Sequence, residues 1–178
     1  TVLALTRQIG LLHERISPIG ALSPQAKVKV GGPAPEMALI DLHGRPLQIG
    51  GASKDESRTL LFFLSPTCPV CDTLLPTVER VARTEVPGVR VILASDGAPD
   101  EHRAFVAAKR ISHLPYVLSA PLGMSYGVAK LPYAVLIDED GVVAAEGLVN
   151  TREDLESLFE AQRHGVASIQ EYLRKKIK

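Results

Sequence analysis

The sequence predicts an α/β domain in which a strand–helix–strand unit with parallel strands is followed by an antiparallel hairpin and a closing helix. Apolar runs at residues 60–64 and 89–94 are each followed by a segment with helical spacing, the order that forms a parallel crossover. Two further apolar runs, at 131–137 and 142–148, are separated by a short acidic turn that ends in Gly, which is typical of a hairpin. A capping-box pattern then opens the last helix.

The composition is that of one globular unit with additions at its ends. The chain has 178 residues, is 46% hydrophobic, and carries 20 basic and 20 acidic side chains. A formal net charge of zero with only 4% aromatic residues argues against nucleic-acid binding. The sequence has no run of about 20 apolar residues that could span a bilayer. Because it begins with Thr1 rather than Met, we expect that a signal sequence or membrane anchor precedes it.

Outside the core, the sequence predicts two terminal helices and a linker. Residues 1–17 have apolar side chains at helical spacing before a Ser-Pro pair, so we expect a helix that packs on its own domain or contributes to a dimer contact. Residues 18–35 are rich in Pro and Gly and are expected to form a linker. Residues 36–163 then form the α/β domain, and residues 164–178 a C-terminal helix with a basic end.

Each element of the domain follows from its local pattern. Residues 37–42 and 47–49 alternate on either side of a turn with Gly, as in a β-hairpin. The continuous apolar run at 60–64 is expected to be a strand buried on both faces. The remaining segments, in order, are a helix that begins at 68 and ends before the Pro-Gly pair at 87–88, a strand at 89–94, a helix from 99 to about 110, a strand at 116–118, a short helical or irregular segment at 121–128, hairpin strands at 131–137 and 142–148, and a helix from 151 to about 162.

The two cysteines of the chain lie directly after the first buried strand, in the sequence Cys68-Pro69-Val70-Cys71. Apolar residues follow at helical spacing, so we expect both cysteines in the first turn of an amphipathic helix. Unpaired N–H groups and the helix dipole at that end lower the pKa of a thiol and favour its thiolate. Cys71, one turn deeper near the same face, is then placed to attack a mixed disulfide on Cys68.

Two other uses of such a pair stay open at this point. The first is half of a zinc site, but a closed site needs four ligands, and the sequence has no second CxxC motif. The second is a structural disulfide, although so short a loop adds little conformational constraint. The pattern favours a redox-active dithiol without metal or other cofactor, and Pro69 and Val70 are expected to tune its redox potential.

This order of elements, with CxxC opening the first helix, is similar to the thioredoxin fold with the N-terminal hairpin of membrane-tethered redoxins. The resemblance implies that Cys68 is the attacking and Cys71 the resolving cysteine. It also implies that Pro76 is the proline inside the active-site helix. Pro132 matches the cis-proline beside the dithiol, so the Leu131–Pro132 peptide is expected to be cis. By the same resemblance, Leu131 and Pro132 are expected to bind substrate backbone.

Three positions depart from the thioredoxin pattern. Phe62 stands six residues before the first cysteine, where thioredoxins carry a buried acid, so no carboxylate is expected there to accept a proton from Cys71. The usual tryptophan before the first cysteine is Thr67, and the dipeptide between the cysteines is Pro-Val rather than Gly-Pro. These changes argue against thioredoxin-like reduction.

Three longer stretches resemble the MauD family of methylamine-utilisation accessory proteins. They are LTRQIGLLHERISP (5–18), LLFFLSPTCPVCDTLLP (60–76) and LPYVLSAPLGMSYGVAKLPYAVLIDEDG (114–141). The resemblance implies a periplasmic thiol–disulfide oxidoreductase, tethered to the inner membrane by an upstream anchor. It would assist disulfide formation or isomerisation in the methylamine dehydrogenase small subunit, its client. The membrane protein MauE would be its redox partner.

Other functions remain open on the sequence. One is a reductase of the cytochrome c-maturation type, and another is a non-catalytic binding chaperone on the same scaffold. The PxxxTxxC pattern of peroxidases is absent around Cys68. Tyr126 and Lys130 are expected at the rim of the substrate groove. The histidines are expected at the surface or in loops; those considered are His43, His102, His113 and His164.

Overall fold

A computed structural model describes residues 28–53, 55–84 and 88–163 of the chain. The elements of this part alternate between strands and helices. The strands are β1 (Met37–Ile40), β2 (Pro46–Ile49), β3 (Arg58–Phe63), β4 (Val89–Ser95), β5 (Tyr116–Leu118), β6 (Tyr133–Ile137) and β7 (Val143–Leu148). The helices are α1 (Pro69–Thr84), α2 (Pro99–Lys109), α3 (Ala120–Ser125) and α4 (Arg152–Arg163).

The central sheet has the strand order β5-β4-β3-β6-β7, and β1 and β2 form a separate antiparallel pair. Strand β3 is parallel to β4, and β4 is parallel to β5. Strand β6 runs antiparallel to β3, and β7 runs antiparallel to β6. The predicted thioredoxin-like α/β fold with an N-terminal β-hairpin is therefore confirmed.

The sheet separates two hydrophobic clusters, and β3 supplies both because successive side chains of a strand point to opposite faces. Leu60 and Phe62 belong to the cluster that also contains Cys71 and buried residues of α1, α2 and α4. Leu61 and Phe63 belong to the other cluster, with buried residues of β2 and α3. The continuous apolar run of β3 therefore reflects burial on both faces, as predicted.

Residues 28–35, the described end of the predicted linker, pack against the domain. The Gly31 N–H donates to the Val143 carbonyl and the Ala34 N–H to the Gly141 carbonyl, both at 2.8 Å. Ala34 is buried in the second cluster. This segment therefore satisfies backbone groups at the outer edge of β7, and the packed structure includes residues before the boundary we placed at residue 36.

Some predicted features lie outside the described residues. They are the N-terminal helix (1–17), the start of the linker, the C-terminal helix (164–178) and His164. Within the described part, Pro76 lies inside α1. None of the helices of that part is both long and apolar enough to cross a membrane.

Asp41 holds the turn between β1 and β2. Its Oδ1 accepts the backbone N–H groups of His43 and Arg45 at 2.9 Å, and its Oδ2 accepts the Arg45 Nε–H at 2.7 Å. Burial alone would raise the pKa of Asp41, but the hydrogen bonds and the positive charge of Arg45 outweigh burial and lower that pKa below its ordinary value. The charged form is therefore the one that stabilises the hairpin.

We expect the Asp41→Asn substitution to lower the free energy of unfolding by about 1–3 kcal/mol at about pH 6. Because the pKa of Asp41 is lower in the folded chain, its contribution is complete above the unfolded value of 3.8 and is lost as the pH falls through the folded value. Urea unfolding at about pH 6 and about pH 3 measures this contribution. The difference in the free energy of unfolding between the unsubstituted chain and Asp41→Asn should be smaller at the lower pH. Asp140→Asn, in an exposed turn, is the control, and an equal loss there would contradict the assignment.

His102 is buried, which corrects the expectation of a surface position, whereas His43 and His113 are exposed. The Nε2 atom of His102 lies 2.8 Å from the Asp96 carbonyl, and the Nδ1 atom of His102 lies 2.8 Å from the Tyr116 hydroxyl. Because a carbonyl only accepts, Nε2 carries the proton, and in the neutral ring Nδ1 accepts from Tyr116. Burial raises the pKa of Tyr116 to about 12, so the hydroxyl stays protonated. This bridge ties the end of β4 to α2 and β5.

Candidate active site at the start of helix α1

The two cysteines form a disulfide at the start of α1, with Cα atoms 5.3 Å apart. Cys68 immediately precedes the helix and is half-buried, whereas Cys71 lies in its first turn and is 0% exposed. Pro69 and Val70, between them, are exposed at the surface. Of the two cysteines, Cys68 is therefore the one that is partly open to solvent, while Cys71 is enclosed by the core.

The sulfur of Cys68 takes the place of a helix cap. The Cys71 N–H donates to Cys68 Sγ at 3.2 Å, and the Asp72 N–H donates to the Cys68 carbonyl at 3.1 Å. A Ser or Asp side chain at a helix N-cap accepts the same N–H group, three residues further on. After reduction, this N–H and the positive end of the helix are placed to stabilise a thiolate on Cys68.

A charge pair lies beside this sulfur. Asp72 is in the first turn of α1, four residues after Cys68, and its carboxylate forms an ion pair with Lys109 at the end of α2. A negative charge at that spacing opposes a thiolate on Cys68. Lys109 offsets this effect, so the second helix contributes to the electrostatics of the site.

The buried carboxylates of the described residues are Asp41, in the turn after β1, and Glu146 on β7. Phe62, at the position of the expected thioredoxin acid, is fully buried in the cluster of Cys71. The buried Glu146 on β7 is opposite Val135, whose side chain belongs to the cluster on the other face of the sheet. Glu146 is therefore separated from Cys71 by the sheet and is not placed to accept a proton from it.

The Leu131–Pro132 peptide is cis, as predicted. Tyr133, the first residue of β6, pairs with Phe63, the last residue of β3. Because these strands are antiparallel, the segment that enters β6 and the segment that leads from β3 to Cys68 leave the sheet at the same edge. Leu131 and Pro132 therefore lie at the edge that carries the dithiol, and the Pro132 carbonyl is fixed by the Val149 N–H at 3.1 Å.

A groove of about 380 Å³ opens at this edge, between α3 and the segment that precedes Pro132. Lys130 lines it, as expected, but Tyr126 does not. Tyr126 is fully buried, with its ring centroid 6.0 Å from that of Phe63, and burial raises its pKa. The lining residues are Phe63, Leu64, Ala94, Ser95, Asp96, Ser119, Ala120, Gly123, Met124, Val128, Ala129, Lys130 and Leu131.

Sequence reasoning missed the part of this groove that α3 supplies. Gly123 and Met124 lie in a segment for which the sequence predicts only a short helical or irregular structure, and their neighbours in the groove include the ends of two distant strands, β3 and β4. An exposed Met beside a helical Gly was the one available signal. The described residues also contain no group of three or more His, Cys, Asp or Glu side chains that could hold a metal ion.

Comparison with known proteins places this arrangement in a family. The AhpC/TSA family model matches residues 30–164. The methylamine utilization protein MauD of Paracoccus denitrificans is 49% identical over 172 residues, which cover 97% of this chain and 85% of that protein. The chain belongs to the MauD family.

More distant similarities agree with the fold and the dithiol. The thiol-disulfide oxidoreductase ResA of Bacillus anthracis is 28% identical over 149 residues, covering 77% of this chain and 80% of that protein. The crystal structure of a putative thiol:disulfide interchange protein DsbE from Chlorobium tepidum has a TM-score of 0.66 at 21% identity, covering 79% of this chain and 99% of that one. With its Cys68–Cys71 disulfide, this MauD family member is a thiol–disulfide oxidoreductase.

Proposed function

We propose that the chain works in the periplasm as the disulfide-handling helper in maturation of the methylamine dehydrogenase small subunit. The observation that carries this proposal is a disulfide with one reachable and one enclosed sulfur in a chain whose relative is named for methylamine utilization. A client rich in disulfides needs an agent that forms or rearranges them. The proposed localisation includes an upstream anchor in the inner membrane.

In the oxidising direction, a client thiolate attacks the sulfur of Cys68. The Cys68–Cys71 bond breaks, Cys71 leaves as a thiolate, and a mixed disulfide joins the client to Cys68. A second client thiolate then attacks the client sulfur of that bond, so the client disulfide forms and Cys68 leaves as a thiolate. The client dithiol loses two electrons, the Cys68–Cys71 pair gains them, and the client's two protons are left on the new thiolates or in solution.

Isomerisation starts from the reduced pair. The Cys68 thiolate attacks a client disulfide, one client sulfur leaves as a thiolate, and another client thiolate then attacks the client sulfur of the mixed bond, so a new client disulfide forms and Cys68 leaves as a thiolate. If Cys71 attacks Cys68 in that bond instead, the Cys68–Cys71 disulfide forms and the client is released reduced by two electrons. Within this proposal, Leu131 and Pro132 bind extended client backbone beside Cys68, and Pro69 and Val70 tune the redox potential. MauE is proposed as the membrane partner that returns the pair to its working redox state.

We expect the Cys71→Ser variant to accumulate a disulfide-linked complex with the small subunit, because Cys68 still reacts but the internal thiol that would break the mixed bond is gone. The Cys71→Ser variant is expressed in the native host, which is grown on methylamine. Non-reducing gels and mass spectrometry of the periplasmic fraction then identify the captured protein. Cys68→Ser is the matched control and should capture none.

Two outcomes would redirect the proposal. The first is capture of cytochrome c-maturation components in place of the small subunit. Together with a redox potential of the Cys68–Cys71 pair nearer about −270 mV than about −120 mV, it would indicate the reductase. Non-covalent recovery of the small subunit by a chain that lacks both cysteines would indicate a binding chaperone. Absence of any complex with Cys71→Ser would overturn attack of the Cys68 thiolate on a client disulfide, the first step of the isomerisation route.

A further inference from the structure

We propose that the groove beside α3 receives a large apolar side chain that flanks the client cysteine, so that the chain selects client segments by that neighbouring residue. The inference deepens the proposed function and rests on it, because it assumes a client that exchanges disulfides at Cys68. It assigns a role to α3, which the exchange mechanism above does not use.

The walls of the groove are apolar and remain open to solvent. Phe63, Leu64 and Ala94 contribute from the ends of β3 and β4, and Met124 and Leu131 stand at the mouth. Met124 is 59% and Leu131 38% exposed, although both are large apolar side chains. A volume of about 380 Å³ is at the lower end of the range for ligand sites, about 300–1,000 Å³. The space therefore suits one or two side chains.

The polar groups of the lining are mostly satisfied within the chain. The Ser95 hydroxyl donates to the Leu64 carbonyl at 2.7 Å, and Ser119 Oγ accepts the Leu122 N–H at 3.2 Å. Asp96 and Lys130 supply one charge of each sign, so the groove has no net charge from its lining. An uncharged, apolar occupant fits the apolar walls better than a charged one, since a charge placed against them would lose hydration.

Gly123 is the residue that keeps the groove open. A Gly in a helix is less favourable than other residues by about 1 kcal/mol, so a helix keeps one mainly where a side chain would clash or fill needed space. A Cβ added at Gly123 would meet no atom within 4 Å, and Gly123 lies within α3 and lines the groove. Packing and backbone conformation therefore do not require Gly here, whereas an open groove does.

Two of the segments that line the groove lead along the chain to the disulfide site. One wall, at Phe63 and Leu64, runs directly into the segment that carries Cys68, and the opposite wall, at residues 128–131, runs directly into Pro132. A client segment joined to Cys68 and extended along Pro132 therefore passes the mouth of the groove. In an extended segment, residues two apart point to the same side, which directs a side chain near the cysteine into the groove.

The test uses oxidised chain and two synthetic dithiol peptides that differ only in the residue two positions from the attacking cysteine, Leu in one and Ser in the other. Stopped-flow measurement gives the second-order rate of peptide oxidation, divided by the rate with dithiothreitol for the same variant. We expect the native chain to prefer the Leu peptide by about tenfold, in the range for a hydrophobic pocket. Gly123→Leu, which fills the groove, should abolish this preference.

Two further variants make the test specific. Met124→Ser alters only an exposed side chain at the mouth and should reduce the preference by about threefold, even if Gly123→Leu were to fold poorly. Ile40→Ser removes a side chain that is 68% exposed on β1, outside the groove, and should keep the full preference.

Equal rates with both peptides for the native chain, or an unchanged preference in Gly123→Leu with native circular dichroism, would overturn the groove proposal. A dimer in sedimentation experiments that Gly123→Leu dissociates would also overturn it, because a second copy would then be the occupant. Failure of the native chain to oxidise dithiothreitol would instead overturn the proposed exchange function itself, so the two failures are distinguishable.

Discussion

Replacing Cys68 with Ser is expected to reduce thiol–disulfide exchange to the rate of buffer alone. The thiolate is the nucleophile in such exchange, and the remaining sulfur, on Cys71, is 0% exposed, so it cannot meet a client or a small disulfide without opening of the core. The rate of dithiothreitol oxidation by the oxidised chain, followed by absorbance, measures the native activity. The reduced Cys68→Ser variant is assayed in the reverse direction against a peptide disulfide.

Cys71→Ser is the matched control, because it removes one sulfur and keeps the reachable one. Cys71→Ser should react with iodoacetamide and form a mixed disulfide with the same peptide, whereas the folded Cys68→Ser variant should do neither. Denaturation should restore alkylation of Cys71 in Cys68→Ser, which shows that burial and not chemistry protects it. Equal alkylation of the two folded variants would contradict the assignment of Cys68 as the attacking residue.

The second large effect concerns stability. Phe62→Ala is expected to lower the free energy of unfolding by about 3–5 kcal/mol, the range for large-to-small substitutions of a buried aromatic residue. Phe62 is fully buried in the central strand, opposite Leu93 of β4 and Ala134 of β6, and shares a cluster with Cys71. Urea unfolding of the oxidised native and variant chains measures the loss.

Phe159→Ala removes the same atoms from a half-buried position on α4, where the Phe159 ring lies 5.9 Å from the Arg58 guanidinium carbon. Its expected loss is smaller, about 1 kcal/mol. If Phe62→Ala were no more destabilising than Phe159→Ala, the conclusion that Phe62 is closely packed in the cluster of Cys71 would be contradicted.

The parts of the fold that were predicted are those set by local pattern. The apolar run of β3, the Gly-containing turn before β2 and the acidic turn before β7 each act over a few residues. The cap of α4 is also local: Thr151 Oγ1 accepts the Asp154 N–H, and Asp154 Oδ2 accepts the Thr151 N–H, both at 3.1 Å. The pair of cysteines at a helix start is predictable for the same reason.

The features that were missed depend on contacts between distant segments. Residues 28–35 look like a linker because they are rich in Pro and Gly, and the sequence does not show that the Gly31 and Ala34 N–H groups find acceptors at the free edge of β7. Tyr126 and His102 are polar enough for the surface, yet neighbours from other elements bury both. The groove of Gly123 and Met124 exists only once α3 meets the ends of β3 and β4.

The unequal exposure of the two sulfurs also determines the order of events in a full cycle. Since Cys68 alone is reachable, the protein that delivers or removes electrons has to approach the same atom as the client, and the two cannot be attached together. On the proposed function, the cycle is then a ping-pong sequence, in which one partner departs before the other arrives.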